Sequence, residues 1–274
     1  MSSRLRVRLL GTGGAANEGR HQACLLVEWG DRSEGGRILL DTGSGLDVVR
    51  QLVAVGCEPT GIRDIFVSHQ HVDHVGGLEP LLLWSIIKVL RERRRPPGEE
   101  TRVYAEPRVL AGIEQLLDAV ASVAPRLFGG KLRWVPGVDR ATATLPGGAW
   151  LRTFLVDHQP VGGGAMGCVV ELERVRLVYS GDTRPVRQLI DAARDADVLV
   201  HEAGGLDEDA PEIHRQGHST AGDAGRVARE AGVGRLILTH LPSEGLAELM
   251  LAEARIAFGG PVELARDLAL IEIG

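Results

Sequence analysis

Three imidazoles and one carboxylate fall within six residues, at His69, His71, Asp73 and His74, directly after the apolar run Ile62 to Ser68. A strand end that feeds a tight loop can aim His69 and His71 in one direction while Asp73 and His74 point elsewhere. Such a segment can serve two neighbouring metal ions rather than one. Neutral imidazole and carboxylate suit a borderline metal such as zinc, with manganese or iron as alternatives. No thiolate lies nearby, which favours an open catalytic site over a closed structural one.

Four ligand-type side chains in one loop are too few for two ions, so the rest of the chain must supply others. Each candidate stands at the end of a strand-like run: His158 after Trp150 to Val156, Asp182 after Val175 to Tyr179, and His240 after Arg235 to Thr239. The physical expectation is that His69, His71 and His158 hold one ion. Asp73, His74 and His240 hold the other, and Asp182 bridges them. A hydroxide between two cations has a lowered pKa and becomes a usable nucleophile near neutrality.

The frame around these residues alternates strands and helices twice over. Leu5 to Leu10, Ala23 to Trp29, Arg37 to Leu40, Ile62 to Ser68, Val103 to Ala105 and Lys131 to Pro136 read as strands of the first half. The second and third of these read as a hairpin. Asp41 to Gly45 opens a helix towards Val55, and further helices are expected over Leu78 to Arg94 and Pro107 to Val123. In the second half, strands are expected over Trp150 to Val156, Cys168 to Glu173, Val175 to Ser180, Val198 to His201, Arg235 to Thr239 and Leu268 to Ile273. Helices are expected over Pro185 to Ala193, Ala221 to Ala231 and Gly245 to Ala254. The fold class expected is α/β: an αββα sandwich, two mixed sheets face to face with helices outside. No low-complexity linker separates residues 1–149 from 150–274, so the expectation is one domain, 1–274.

Composition narrows the function classes. The 44% hydrophobic content supports a buried core and excludes global disorder. The most apolar stretch, Leu78 to Leu90, is interrupted by Glu79, Pro80 and Lys88, so no membrane span is expected. Thirty-seven acids against 31 bases, a net charge of −6, speak against a generic basic nucleic-acid binder. Cys24, Cys57 and Cys168 are far apart and odd in number, which fits buried thiols in a reducing compartment. The N-terminal residues carry no sustained apolar core, and a cytoplasmic location is the expectation. The run Arg91 to Glu100 reads as a solvated helix end.

Through Ser68 to His74, the later single His158, Gly181-Asp182 and the terminal His240, the sequence resembles the metallo-β-lactamase superfamily. Its closer resemblance is to the ribonuclease Z group of phosphodiesterases. This rests on Leu10 to Ala15, Leu40-Asp41-Thr42-Gly43, Tyr179 to Thr183, His201-Glu202-Ala203, Gly217 to Ala221 and Leu236 to His240. The resemblance implies a dinuclear metal-dependent hydrolase. It implies that Asp73 assists with a proton, and that His218 stabilises a developing oxyanion or protonates the leaving oxygen. Glu202 would hydrogen-bond that imidazole and fix its tautomer. His21, His201 and His214 are expected to have ordinary roles, His201 buried beside the site. Members of this group are commonly dimers, and Leu78 to Arg94 offers an apolar candidate surface for a homodimer.

Two departures from the group bear on substrate. Members that process tRNA carry an extended arm between the third metal histidine and the bridging aspartate. Here only residues 159 to 181 intervene, read as a glycine-rich turn (Gly162 to Gly164) and two strands. After His240, Leu241 to Glu244 replaces the group's usual run. Two divalent ions would leave a net charge of about −2, still unattractive to a polyanion at long range. The expectation is therefore a small or cyclic phosphodiester, with RNA disfavoured. The alternatives are tRNA 3′-end cleavage, hydrolysis of a lactone, ester or thioester, and a non-catalytic RNA scaffold that keeps its metal for stability.

Overall fold

The side-chain alternation of the strands sorts the core into three layers. In the computed structural model, which describes residues 4–30, 35–92, 100–120, 132–158 and 164–274, the first sheet takes its strands from both chain ends. These are β1 (Leu5–Gly11), β2 (Cys24–Trp29), β3 (Gly36–Leu40), β4 (Asp64–Phe66), β5 (Thr101–Ala105) and β6 (Leu132–Pro136). The second sheet holds β7 (Thr142–Thr144), β8 (Trp150–Val156), β9 (Ala165–Leu172), β10 (Val175–Tyr179), β11 (Val198–Glu202), β12 (Arg235–Thr239) and β13 (Val262–Leu264). A last strand, β14 (Ala269–Ile273), returns to pair with β1.

The strand orders are β14-β1-β2-β3-β4-β5-β6 and β13-β12-β11-β10-β9-β8-β7. Each sheet is antiparallel on one side and parallel on the other, β3 to β6 in the first and β10 to β13 in the second. The expected hairpin is the antiparallel pair β2 and β3. Parallel pairing requires crossovers, and helices supply them. On the first side these are α1 (Asp47–Ala54), α2 (Val72–Val75), α3 (Leu78–Arg91) and α4 (Pro107–Val120). On the second they are α5 (Arg187–Ala193), α6 (Ala210–Gln216), α7 (Ala221–Ala231) and α8 (Ala247–Phe258).

Val7, Leu9, Leu25, Val27, Ile38, Leu40 and Phe66 face Leu151, Met166, Cys168, Val170, Leu177, Tyr179 and Val200 across the sandwich. The intervening positions Leu10, Leu26, Leu39, Ile65 and Val103 turn outwards to α1, α3 and α4, packing on Leu52, Leu82 and Ile113. On the far side, Val169, Val178, Leu199, Leu236 and Leu238 pack on Leu189, Ala224, Ala228 and Met250. Period two along a strand thus builds the αββα layering that the sequence implied. The three cysteines are buried and free. No helix among the described residues is long and apolar enough to cross a membrane.

The differences from expectation lie at element ends and in short pieces. The helix expected to open at Asp41 begins at Asp47. Residues 41–45 are instead a loop, in which Thr42 N–H and Oγ1–H donate to His74 O. The expected strand Ile62 to Ser68 shortens to β4, and β7, β13 and α6 were not expected. Residues 93–99, most of the basic run, and Gly162 and Gly163 of the glycine-rich turn lie outside the described residues.

Candidate metal centre

Every ligand-type residue singled out in the sequence reaches the same end of the sandwich, beyond the carboxyl ends of β4, β8, β10 and β12. Open α/β sheets place ligands there because the loops leaving parallel strands converge. His69, His71, His158 and Asp182 form one cluster, and Asp73, His74 and His240 a second. Asp182 Oδ2 stands between them: 3.7 Å from His69 Nε2, 4.0 Å from His158 Nε2, 3.3 Å from His74 Nε2 and 3.4 Å from His240 Nε2.

Hydrogen bonds fix which imidazole nitrogens face the centre. His158 Nδ1–H donates to Gly217 O at 2.8 Å, leaving Nε2 for the cluster. His74 Nδ1–H donates to Asp41 Oδ2 at 2.8 Å. Ser68 Oγ–H donates to the same oxygen at 2.7 Å, so Ser68 Oγ accepts from His69 Nδ1–H at 3.0 Å. Tyr179 O–H also donates to Asp41 Oδ2, at 2.8 Å, and Ser68 N–H donates to Oδ1 at 2.7 Å. One buried carboxylate therefore sets the tautomer of two candidate ligands, directly for His74 and through Ser68 for His69.

The cluster fits a metal on two observations. His69 Nε2 and His158 Nε2 lie 3.0 and 3.1 Å from His71 Nδ1, with the donor sides of the His69 and His158 rings already used elsewhere. A proton on His71 Nδ1 points well at only one of the two lone pairs, whereas a cation among the three satisfies them all, and donors around a tetrahedral zinc at about 2.0–2.1 Å lie roughly 3.3 Å apart. In the second cluster His240 Nε2 is 3.2 Å and His74 Nε2 3.6 Å from Asp73 Oδ2. His74 Nε2 and Asp182 Oδ1 are buried without a hydrogen-bond partner among the described residues, an expense that a coordinated ion removes.

The electrostatics agree. Burial holds His69, His71 and His158 below the ordinary imidazole value, in the neutral form that ligation requires. Burial would raise Asp73 and Asp182, but neighbouring imidazoles outweigh it. They bring Asp73 to about 2 and push Asp182 well below the carboxylate range. Burial opposes charge on His74 too, yet Asp182 and Asp41 push it well up. The centre thus gathers two ionised carboxylates and three neutral imidazoles around His74, which keeps its proton until a metal takes that place.

His218 lies beside the clusters, its Nδ1 3.1 Å from Glu202 Oε1 and 3.9 Å from Asp182 Oδ2. Burial lowers its pKa, but Glu202 and Asp182 prevail and raise it to about 9. Glu202 Oε1 also accepts from Thr183 N at 2.7 Å, which ties the carboxylate to the Asp182 loop. The Ser-Thr pair after His218 does cap α7. Thr220 Oγ1 accepts from Asp223 N and Thr220 N donates to Asp223 Oδ2, a reciprocal capping box.

The other three histidines stand apart as expected. His201 is buried and donates to Glu202 O, His21 lies by Asp47, and His214 by Asp223. A cleft of about 490 Å³ opens over the centre, walled by Ala15, Ala16, Val72, Gln216 and Pro242. No lysine or arginine is among the described residues that line it.

Residues 36–241 match the Beta-lactamase superfamily domain. The ribonuclease Z of Haloferax volcanii is 30% identical over 318 aligned positions, covering 98% of this chain and 95% of that protein. The chain belongs to the metallo-β-lactamase superfamily, in its ribonuclease Z group. The fold likeness is as broad. The metallo-β-lactamase fold protein YhfI from Bacillus subtilis matches with a TM-score of 0.79 at 22% identity, over 99% of this chain and 100% of that one. The short form of human tRNase Z matches with a TM-score of 0.73 at 22% identity, over 97% and 98%. Membership in the ribonuclease Z group makes the chain a metal-dependent hydrolase of the phosphodiesterase type.

The residues that the sequence reading left without a role are Asp41, Ser68 and Tyr179. In the sequence Asp41 figures as the start of an expected helix and as part of a landmark. Its signal is a carboxylate closing the apolar run Ile38 to Leu40, where a buried acid must find donors elsewhere in the fold.

Proposed function

We propose that this chain cleaves RNA phosphodiester bonds at a dinuclear centre formed by His69, His71 and His158 on one side and Asp73, His74 and His240 on the other, with Asp182 shared. The observation that carries this reading is the position of Asp182 Oδ2, within 4.0 Å of imidazole nitrogens from both clusters. RNA comes from the relatives named ribonuclease Z, with which nearly the whole chain aligns. The sequence expectation of a small substrate, with RNA disfavoured, therefore gives way as the first reading.

Two divalent ions, zinc by the chemistry of the donor set, would supply Lewis acidity to a phosphate oxygen and lower the pKa of water. The chain's own residues do the rest. His69 and His158 present lone pairs in fixed tautomers, and His74, oriented by Asp41, would give up its Nε2 proton on binding. Asp73, ionised well below neutrality, is placed to take a proton from attacking water. His218, held protonated by Glu202, is placed to donate one to the departing ribose oxygen. With no lysine or arginine on the described cleft walls, His218 is the cationic side chain available to the phosphate there.

A small or cyclic phosphodiester is the second reading, favoured by a specific observation. Between His158 and Asp182 the described residues are only the hairpin β9–β10 and its flanks. The alignment with the Haloferax protein, at 318 positions, is longer than this chain, so that relative carries inserted residues. We also read the chain as one cytoplasmic domain that can dimerise. On α3, Leu83 and Ile87 remain exposed, while Leu78, Leu81, Leu82 and Ile86 belong to the core.

The test offers precursor tRNA and bis(p-nitrophenyl) phosphate side by side to protein of measured metal content. Cleavage of the precursor at its 3′ trailer is the expected result. Turnover of the small diester alone overturns RNA in favour of the second reading, and inertness towards both overturns phosphodiester hydrolysis.

A further inference from the structure

The metal centre is continuous with a second cavity of different chemistry. A groove of about 400 Å³ runs between α2 and α4, lined by Gln70, Val72, Gly112, Ile113 and Leu116, with His71 at its mouth. His71 and Val72 wall both this groove and the cleft over the centre. Apart from His71, its lining holds no ionisable side chain.

Three features set the groove apart from ordinary surface. Val72 is 69% exposed and Leu116 45% exposed, large apolar side chains turned to solvent within one concavity beside a polar site. Isolated exposed apolar residues need no explanation, but a concave cluster of them marks a binding surface. Val72 also occupies the position between His71 and Asp73, so the motif itself aims an apolar side chain at the rim. Thirdly, Gly112 lies inside α4, where glycine is about 1 kcal/mol less favourable than alanine. A Cβ there would meet nothing within 4 Å, so tight packing does not demand the glycine. Gly112 and Leu116 are one helical turn apart on the face of α4 opposite the buried Leu110 and Leu117. The glycine keeps the groove floor open.

We propose that this groove is a subsite for the flat apolar part of the substrate, a nucleobase or aryl group on one ester arm of the phosphate held at the centre. The proposal rests on the phosphodiester reading above. Apart from His71 at its mouth, the described lining has no charged or aromatic side chain, so the groove takes a base by contact with its face and excludes water. It does not read the base edge through an ion pair or stack it on a ring. It therefore discriminates between a diester with a flat apolar arm and one without, and tolerates different bases.

The experiment compares bis(p-nitrophenyl) phosphate with methyl p-nitrophenyl phosphate, which share a leaving group but differ in the second arm. The readout is the ratio of kcat/KM for the two diesters, with metal content and melting temperature measured on the same samples. Gly112→Leu fills the groove and should lower the ratio about tenfold, the low end of what one apolar contact gives in discrimination. Leu116→Ser, at a half-exposed position that folding tolerates, removes the contact without filling the space and should lower the ratio in the same direction. A ratio that stays at its wild-type value in both variants overturns the subsite, as does an equal loss on both diesters. Wild-type protein that cleaves precursor tRNA but neither diester overturns the subsite alone, whereas inertness towards precursor and diesters alike overturns the phosphodiester reading and the subsite with it.

Discussion

Asp41 Oδ2 lies 2.8 Å from His74 Nδ1, and both side chains are wholly buried. Asp41 is also one of the few non-glycine residues with positive φ, 55°. The backbone is thus turned into the left-handed region so that a single carboxylate can accept from His74, Ser68 and Tyr179 together. Of the larger residues, aspartate and asparagine adopt that conformation most readily.

Asp41→Asn keeps the shape and the tolerated φ but removes the charge and one acceptor. His74 and the Ser68–His69 relay then lose the group that fixes their tautomers. Metal affinity should fall about 10–100-fold, as loss of such partners does elsewhere. Competition with a chelator measures it. Unchanged affinity would show that the ligands hold their orientation without Asp41.

Substitutions within the centre should divide by what they touch. His71→Ala or Asp182→Ala removes a donor and should abolish activity together with loss of metal. His218→Ala leaves all seven candidate ligands in place. It should keep metal while slowing turnover by about 10²–10⁴, the usual contribution of a positioned general acid. Elemental analysis of each variant beside its kinetics decides the matter, and full turnover by His218→Ala would remove its assigned role.

The layering and the clustering of the candidate ligands were legible because both depend on local pattern. Period two in Leu5 to Leu10 and helical spacing over Ala221 to Ala231 each follow from burial of one face. Each candidate ligand follows a strand that the pattern reveals. What escaped was held by tertiary context. β7 and β13 are three residues long, and their ladders with β8 and β12 decide them rather than propensity. The segment containing α6 shows no helical periodicity: acidic residues precede it, Pro211 stands in its first turn, and only Ile213 of the helix is buried. Asp41 escaped for a related reason: its four donors come from β10, from Ser68 and from His74, and no spacing rule connects them.

Away from the centre, Asp223 should contribute to acid sensitivity. Burial would raise its pKa, but His214, Arg226 and Thr220 outweigh burial and lower it. Arg226 also pairs with Asp207, whose pKa that contact lowers as well. A depressed folded pKa contributes stability that is present above the unfolded value, about 3.9 for aspartate. That stability is lost as pH falls from there through the folded value. Asp223→Asn should therefore be less stable than wild type at neutral pH but lose less stability on acidification below about pH 4. Denaturant melts across that range measure the slope, and parallel acid limbs would show that Asp223 carries none of it.

Gly217 sits where backbone geometry and the centre meet. Its φ is 91°, its carbonyl accepts from His158 Nδ1, and a Cβ built on it would lie 2.8 Å from that same nitrogen. Gly217→Ala therefore meets two costs at once: a left-handed conformation that alanine resists, and a contact that drives the ring away from its acceptor. Backbone strain of this kind costs about 1–3 kcal/mol. The ring displacement falls on a candidate ligand, so metal affinity should drop along with stability. Thermal melts with and without excess zinc separate the effects. If only strain operates, added metal stabilises variant and wild type by the same increment. If His158 is displaced, the increment shrinks in the variant, because stabilisation by a ligand follows its affinity for the folded state.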